Sequence, residues 1–114
     1  MDTFNPALDN LFRALGDPTR RAVLQRLVAG PSPVKKLAQP FGMALPSFLK
    51  HIAVLEQCGL ITSNKVGRVR TCSISPDRLA EAESWLRRQR KVWESRTDRL
   101  ATFVESTSKQ EDNK

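Results

Sequence analysis

The sequence has no tyrosine, one histidine and two cysteines, so few of its side chains can carry catalytic or metal chemistry. A glycine-rich phosphate loop and a plausible Ser/His/Asp set are also missing, which argues against an enzyme. His51, Cys58 and Cys72 cannot supply the four ligands of a tetrahedral site for a soft divalent ion. We therefore expect no catalytic residue, no metal ion and no cofactor.

Long hydrophobic runs are absent as well. No apolar stretch approaches the length of a membrane span, and the first residues lack the basic-then-apolar order of a secretory signal peptide. Two cysteines without an export signal are typical of a reducing compartment rather than of a disulfide scaffold. The sequence predicts a cytoplasmic protein, and its 114 residues are enough for one domain with one modest core.

Acidic residues are scarce in one part of the chain. Residues 13–70 contain ten Lys and Arg but only two acids, Asp17 and Glu56, so this segment carries a charge of +8 and the remaining residues sum to −1. A basic bias concentrated in one segment is typical of a protein with a polyanionic partner such as nucleic acid. The alternative is a basic face that only improves solubility.

Helical periodicity predicts five helices, of which the first two open the chain. Residues 4–15 carry an amphipathic stripe that Gly16 ends. Asp17 and Pro18 begin the second helix, because an aspartate can cap exposed N–H groups and a proline in the first turn loses no hydrogen bond. This second helix is predicted to stop at Gly30.

Residues 33–61 predict a helix-turn-helix pair. Ser32 and Pro33 open a short amphipathic helix, a tight turn follows at Gly42, and a second amphipathic helix stops at Gly59. The second helix of such a pair commonly lies in the major groove of DNA. Its buried side is predicted to carry four apolar residues, Leu49, Ile52, Ala53 and Leu55.

The outward side of this second helix carries side chains that suit DNA. We expect Ser47 to contact a base edge or a phosphate, Lys50 to reach guanine or a phosphate, and Phe48 to pack on a thymine methyl group. For His51, phosphate contact and local packing both remain open. Three cations on the preceding helices are predicted phosphate contacts, namely Arg20, Lys35 and Lys36.

After Gly59 the periodicity changes to that of strands. Residues 60–65 and 69–74 are rich in β-branched side chains and flank a turn at Gly67, which predicts a β-hairpin wing. Three cations cluster at its tip and are expected to reach the DNA backbone or the minor groove: Lys65, Arg68 and Arg70. The alternative is a charged loop in solvent.

The last predicted helix runs from about Arg78 to about Glu105 and carries more apolar area than one small core can cover. We expect part of it to pack against a second subunit, together with the first helix. The predicted dimer residues are Phe4, Leu8, Leu11, Trp85, Val92, Trp93, Leu100 and Phe103. A purely intrachain helix is the alternative. Residues 106–114 contain no apolar side chain and are predicted to be a disordered tail, which leaves residues 1–105 as the domain.

Two stretches resemble the arsenical-repressor (ArsR-type) winged-helix transcription factors: residues 11–21 (LFRALGDPTRR) and 50–61 (KHIAVLEQCGLI). The resemblance covers roughly residues 8–104. It implies a homodimer of winged helices, joined mainly through the first and last helices, that represses promoters by occupying them. Residues 93–100 resemble a branch of the family without a recognised metal site.

The chain departs from the family at two points. Metal-responsive members use a cysteine pair on the third helix or histidine and carboxylate ligands near the last helix. Here residues 33–42 contain no cysteine and the one histidine is His51, so we do not expect metal sensing. The family usually has a serine two residues before this histidine, where this chain has Leu49, and one expected polar contact is therefore in doubt.

The two cysteines have two interpretations. Cys58 lies where the second helix of the pair ends, and strand alternation places Cys72 on the same face as Ile74, so both are predicted to point into the core. A thiol switch between them is the alternative, and it requires an exposed thiol of low pKa.

The sequence thus predicts a mainly α (α+β) winged helix-turn-helix protein with about five helices and one hairpin. We expect a homodimeric, sequence-specific regulator of transcription that binds double-stranded promoter DNA, with an inverted-repeat operator and a repressing action. Its effector, if it has one, is not indicated. The competing hypothesis is a winged helix that mediates protein contacts or packages DNA without sequence preference, and an even preference across genomic fragments would favour it.

Overall fold

The computed structural model describes residues 5–112, with side chains as far as residue 107, so Phe4 of the predicted dimer set lies outside the described residues. In this range a short three-stranded sheet accompanies the helices. The elements in chain order are α1 (Pro6–Leu15), α2 (Pro18–Leu27), β1 (Ser32–Pro33), α3 (Val34–Ala38) with a 3₁₀ turn over Gln39–Phe41, α4 (Leu45–Gln57), β2 (Ile61–Val66), β3 (Val69–Ile74) and α5 (Leu79–Asp112). The predicted winged helix-turn-helix architecture is confirmed.

The starts of α1 and α2 follow the same local rule. The Asn5 side chain accepts a hydrogen bond from the Leu8 N–H at 3.2 Å, and the Asp17 carboxylate accepts one from the Arg20 N–H at 3.0 Å. A proline occupies the first turn of each helix, where no intrahelical donor is needed. The predicted start of the second helix is confirmed.

The segment before α3 differs from its prediction. Ser32 and Pro33 form the short strand β1, whose residues pair with Cys72 and Thr71 of β3, and no side chain caps α3. Pairing with the sheet edge satisfies the backbone here, so Ser32 does not act as the expected helix cap.

Two glycines occupy turns, one before α4 and one between β2 and β3. Gly42 has φ +59° between α3 and α4, and Gly67 has φ +62° in the two-residue turn that joins β2 to β3. This left-handed backbone region is strained for residues with a Cβ. The sheet order is β1-β3-β2, all antiparallel, and Ile61 pairs with Ile74 at the base of the hairpin.

The core lies within residues 5–82 and draws on every helix of that part. Phe48 is fully buried, and its ring centroid lies 5.4 Å from that of Phe41 on the preceding turn. Cys72 brings the sheet into the same core. The largest fully buried side chains are Leu11, Val23, Leu27, Leu37, Phe48, Ile52, Leu55, Ile61 and Cys72.

Residues 83–112 form a second unit, the remainder of α5. The helix continues to Asp112, so the prediction that it ends near Glu105 is wrong. The physical reason is that residues 106–112 are polar but contain neither glycine nor proline, and nothing in them breaks a helix. None of the helices in the described range is both long and apolar enough to span a bilayer.

Candidate nucleic-acid interface

The N-terminal half of α4 presents two exposed polar side chains, Ser47 and Lys50, which we call the reading face. Ala44 precedes the helix and makes no side-chain capping bond, and Pro46 in the first turn has no N–H group, so the N–H groups of Leu45 and Ser47 lack a partner within the helix. Lys50 has no ion pair within the residues described. A hydroxyl, an ammonium group and a helix N-terminus can together contact phosphates and base edges.

Phe48 does not belong to this face. It was expected to pack on a thymine methyl, but its side chain is fully buried against Phe41, so that prediction is wrong. Ile52 and Leu55 are buried as predicted, whereas Phe48 takes the place expected for Leu49 in the core and Ala53 is only half-buried. Leu49 is half-buried, and Leu45 at the helix start is 42% exposed.

The guanidinium group of Arg20 forms hydrogen bonds within the chain. Its Nε donates to the Ala14 carbonyl at 2.9 Å, its Nη2 to the Arg13 carbonyl at 3.0 Å, and its Nη1 lies 3.1 Å from His51 Nδ1. A guanidinium can only donate, so His51 Nδ1 accepts and the neutral ring carries its proton on Nε2. The predicted role of Arg20 as a phosphate contact is therefore corrected to that of a clamp between the end of α1 and α4.

His51 is held by the same cluster. Its Nδ1 lies 3.7 Å from Asp17 Oδ2, and its side chain is about a quarter exposed at 23%. The backbone N–H of Arg20 lowers the pKa of Asp17 below its ordinary value of 3.8, and the positive charge of Arg20 lowers it further. This geometry supports the local-packing interpretation of His51, while Nε2 remains a donor for a DNA phosphate.

The wing (β2, β3 and their turn) presents two of its three predicted cations. Lys65 lies near the end of β2 and Arg68 lies in the turn, and both are exposed. Arg70 is half-buried: its Nη2 pairs with the Glu56 carboxylate and its Nε donates to Ser63 Oγ at 3.1 Å. We correct its assignment, since Arg70 fastens the wing to α4 and is not a free phosphate contact.

Lys35 and Lys36 are both exposed on α3, but they face different surfaces. Lys35 lines a groove of about 660 Å³ between α3, α4 and the wing, together with Lys65 and Arg68. We call it the wing groove. Lys36 lies in a separate depression of about 460 Å³ beside Arg26. Sequence reasoning missed the apolar walls of the wing groove, because Leu45 and Leu49 look like core residues in a helical stripe.

The predicted dimer residues in the described range divide into three groups. Leu8 and Leu11 are buried within their own chain, so their assignment to an intersubunit surface is wrong: the small core needs their apolar area. Trp85 is half-buried. Val92, Trp93, Leu100 and Phe103 on α5 are exposed, Trp93 by 63% and Phe103 by 69%.

Both cysteines are free thiols. Cys72 is fully buried, as predicted, and burial raises the pKa of its thiol, which keeps it protonated and unreactive. Ile74 is not buried beside it but 41% exposed. Cys58 is half-buried and its Sγ donates to the Leu55 carbonyl at 3.4 Å. These surroundings do not favour the thiol switch.

No group of three or more histidine, cysteine or acidic side chains lies close enough to hold a metal ion in the part of the chain that the structure describes.

Comparisons with known proteins agree with this geometry. Residues 15–64 match the family described as a helix-turn-helix domain. The transcriptional repressor SdpR of Bacillus subtilis is 29% identical over 79 residues, which cover 69% of this chain and 88% of the repressor. The HTH-type transcriptional regulator Rv2034 of Mycobacterium tuberculosis is 35% identical over 72 residues, or 63% of this chain and 67% of the regulator.

A solved structure gives a longer match. The crystal structure of the ArsR family transcriptional regulator RHA00566 is 53% identical and superposes with a TM-score of 0.78. The match covers 83% of this chain and 98% of that one, so it extends well beyond the helix-turn-helix pair.

Proposed function

Since the chain belongs to the ArsR family of transcriptional regulators, which bind DNA and are not enzymes, we propose that it acts in the cytoplasm as a homodimeric repressor on an inverted-repeat operator. In this proposal each subunit inserts the N-terminal half of α4 into a major groove. Occupancy of the promoter would then block transcription.

The observation that carries the proposal is the reading face. Ser47 and Lys50 are exposed on the first two turns of α4, and the core residues Phe48 and Ile52 fix the helix beneath them. The exposed wing cations Lys65 and Arg68 lie beside the groove that α4 borders. This arrangement suits base contacts by α4 and phosphate contacts by the wing.

The exposed apolar side chains of α5 support a dimer. Leu86, Trp93 and Leu100 recur every seven residues, and each exposes more than half of its surface. A seven-residue apolar repeat is typical of helices that pair along a seam. Large exposed apolar side chains in one stripe mark protein contact sites, and we place the dimer interface on α5.

The experiment that tests the function begins with selection of genomic fragments by the purified protein, followed by affinity measurements on the selected site and on random DNA. We expect Lys50→Ala to weaken binding to the selected site by about 1–3 kcal/mol if Lys50 reads a base. Lys91→Ala is the matched control, because Lys91 is an exposed lysine on α5 and its replacement removes the same charge.

The outcomes are distinct. An equal loss on selected and random DNA would assign Lys50 to a phosphate. An even recovery of all genomic fragments would contradict the operator proposal and favour a DNA-packaging role.

A further inference from the structure

The wing groove has the dimensions of a small-molecule site. Its volume of about 660 Å³ lies within the range of roughly 300–1,000 Å³ that is usual for ligand pockets. Val34 from α3, Leu45 and Leu49 from α4, and Val69 from β3 form its apolar walls. Such pockets generally combine apolar walls with a few polar groups that fix the orientation of the ligand.

These walls are open to solvent. Leu45 is 42% exposed and Val69 is 53% exposed, although both side chains are apolar. An apolar ligand in the groove would remove this surface from water, which is favourable. The apolar surface of the groove is therefore left exposed by folding, and burying it would contribute to the binding of a ligand.

The charge around the groove is of one sign. Lys35, Lys65 and Arg68 line it, and their side chains form no ion pair or hydrogen bond within residues 5–107. The lining includes no acidic residue, and the nearby Glu56 is already neutralised by Arg70. A ligand that complements this groove carries a negative charge.

A DNA phosphate complements the cations of the groove but not its apolar walls. It can pair with Lys65 or Arg68, but it gives the apolar walls nothing to pack against. A single anionic head on an apolar chain complements both features, since the chain covers Leu45 and Val69 while the head reaches the lysines.

We propose that the wing groove binds a small amphipathic carboxylate, with its alkyl chain between α4 and the wing and its carboxylate near Lys35, Lys65 and Arg68. Lys65 and Arg68 line the groove and are also the wing cations proposed to contact DNA phosphates, so the ligand and DNA compete for the same positive charges. This regulatory consequence rests on the proposed function, whereas binding of the ligand does not.

The test uses dodecanoate below its micelle concentration and the full chain without DNA, followed by calorimetry. We expect saturable binding of one dodecanoate per chain with an unchanged circular dichroism spectrum. Acetate has the same head without the chain, and dodecyltrimethylammonium has the same chain with the opposite charge. Neither should bind, and equal binding of dodecyltrimethylammonium would overturn the proposal.

Matched variants locate the site. Val69→Thr keeps a β-branched residue in the strand but makes the groove wall polar, and we expect about five- to tenfold weaker dodecanoate binding. Val28→Thr makes the same change at a 70% exposed position at the end of α2 and should have no effect. Equal losses in the two variants would overturn the assignment.

A second pair tests the head group independently of the walls. Lys35→Gln should weaken dodecanoate binding, whereas Lys36→Gln should not, because Lys36 does not line the groove. Equal effects would overturn the proposed orientation.

Competition with DNA is measured last, on the site selected from genomic fragments. We expect dodecanoate to release the bound DNA and Val69→Thr to require a higher concentration for release. Failure to bind any DNA would contradict the proposed function alone, since the calorimetry is done without DNA. Intact DNA binding that dodecanoate does not weaken would overturn the regulatory inference alone.

Discussion

Two side chains at the start of α2 and one on α4 bond to each other and hold α4 in place. Arg20 of α2 bonds the carbonyl groups of Arg13 and Ala14 at the end of α1, and it also bonds His51 of α4. Asp17 caps α2 through the backbone N–H of Arg20 and lies close to His51. The cluster therefore couples the cap of α2 to the position of α4. Its charged side chains, Asp17 and Arg20, are engaged in contacts within the chain.

The first prediction concerns this cap. Asp17→Ala removes the oxygen that accepts the Arg20 N–H, and we expect it to lower the free energy of unfolding by about 1 kcal/mol. Asp17→Asn is the control, because asparagine is also a good cap and should lower stability less at neutral pH. Urea denaturation followed by circular dichroism measures both. Equal stability of the alanine variant and the wild type would contradict the role of the cap.

The same pair of proteins gives a pH dependence with a definite sign. The pKa of Asp17 in the folded state lies below its ordinary value of 3.8, so ionised Asp17 stabilises the fold at higher pH. The advantage of wild type over Asp17→Asn should be constant above about pH 5 and disappear as the pH falls through the lowered pKa. An advantage that grows on acidification would contradict the assigned shift.

At the scale of single elements, α4 shows which features of a helix the apolar periodicity of the sequence predicts. Its existence, its end before Gly59 and the turn at Gly42 follow from the sequence, and the structure confirms them. Which of Phe48 and Leu49 enters the core does not follow from the sequence, because the two residues are adjacent and both apolar. Only the packing of Phe48 against Phe41 and the core decides between them.

The wing illustrates a similar limit. Its two strands and the turn at Gly67 were predicted at nearly their observed bounds, because strand and turn signals are local. The pairing of Arg70 with Glu56 was not, since these residues are 14 apart and the sequence does not show which cation meets which acid. The same reasoning applies to the bond between Arg20 and His51, which are 31 residues apart.

The second prediction concerns the turn before α4. Gly42→Ala places a Cβ at φ +59°, and no atom lies within 4 Å of that Cβ, so only backbone strain opposes the change. We expect a loss of about 1–2 kcal/mol in the free energy of unfolding. Gly42→Asn should lose less, because asparagine tolerates the left-handed region better. Equal losses for the two variants in urea denaturation would show that strain is not the cause.

The third prediction concerns α5. Trp93→Glu places a charge in the exposed apolar stripe, and we expect the dimer to dissociate into monomers in sedimentation velocity. Lys91→Glu is the matched control: its position lies two residues away on the helix, and a helix turns about 200° over two residues, so it faces the opposite side. A dimer that survives Trp93→Glu would remove α5 from the interface.

At the scale of the whole molecule, the position of the basic segment bears on the proposed two-fold dimer. The segment of residues 13–70, which contains the reading face and the cations of the wing, has a net charge of +8, whereas the remaining residues sum to −1. A two-fold dimer through α5 would present this basic surface twice. Two recognition helices about 34 Å apart would meet successive major grooves on one side of the duplex. Recognition of an inverted repeat thus depends on formation of the dimer.

The most direct test of this central claim is the stoichiometry of the complex. A duplex that carries the selected inverted repeat is compared with one in which a single half-site is scrambled, and both are studied with the protein by sedimentation equilibrium. We predict two chains on the intact duplex and markedly weaker binding to the scrambled one. One chain per duplex, bound equally well to both, would contradict the account.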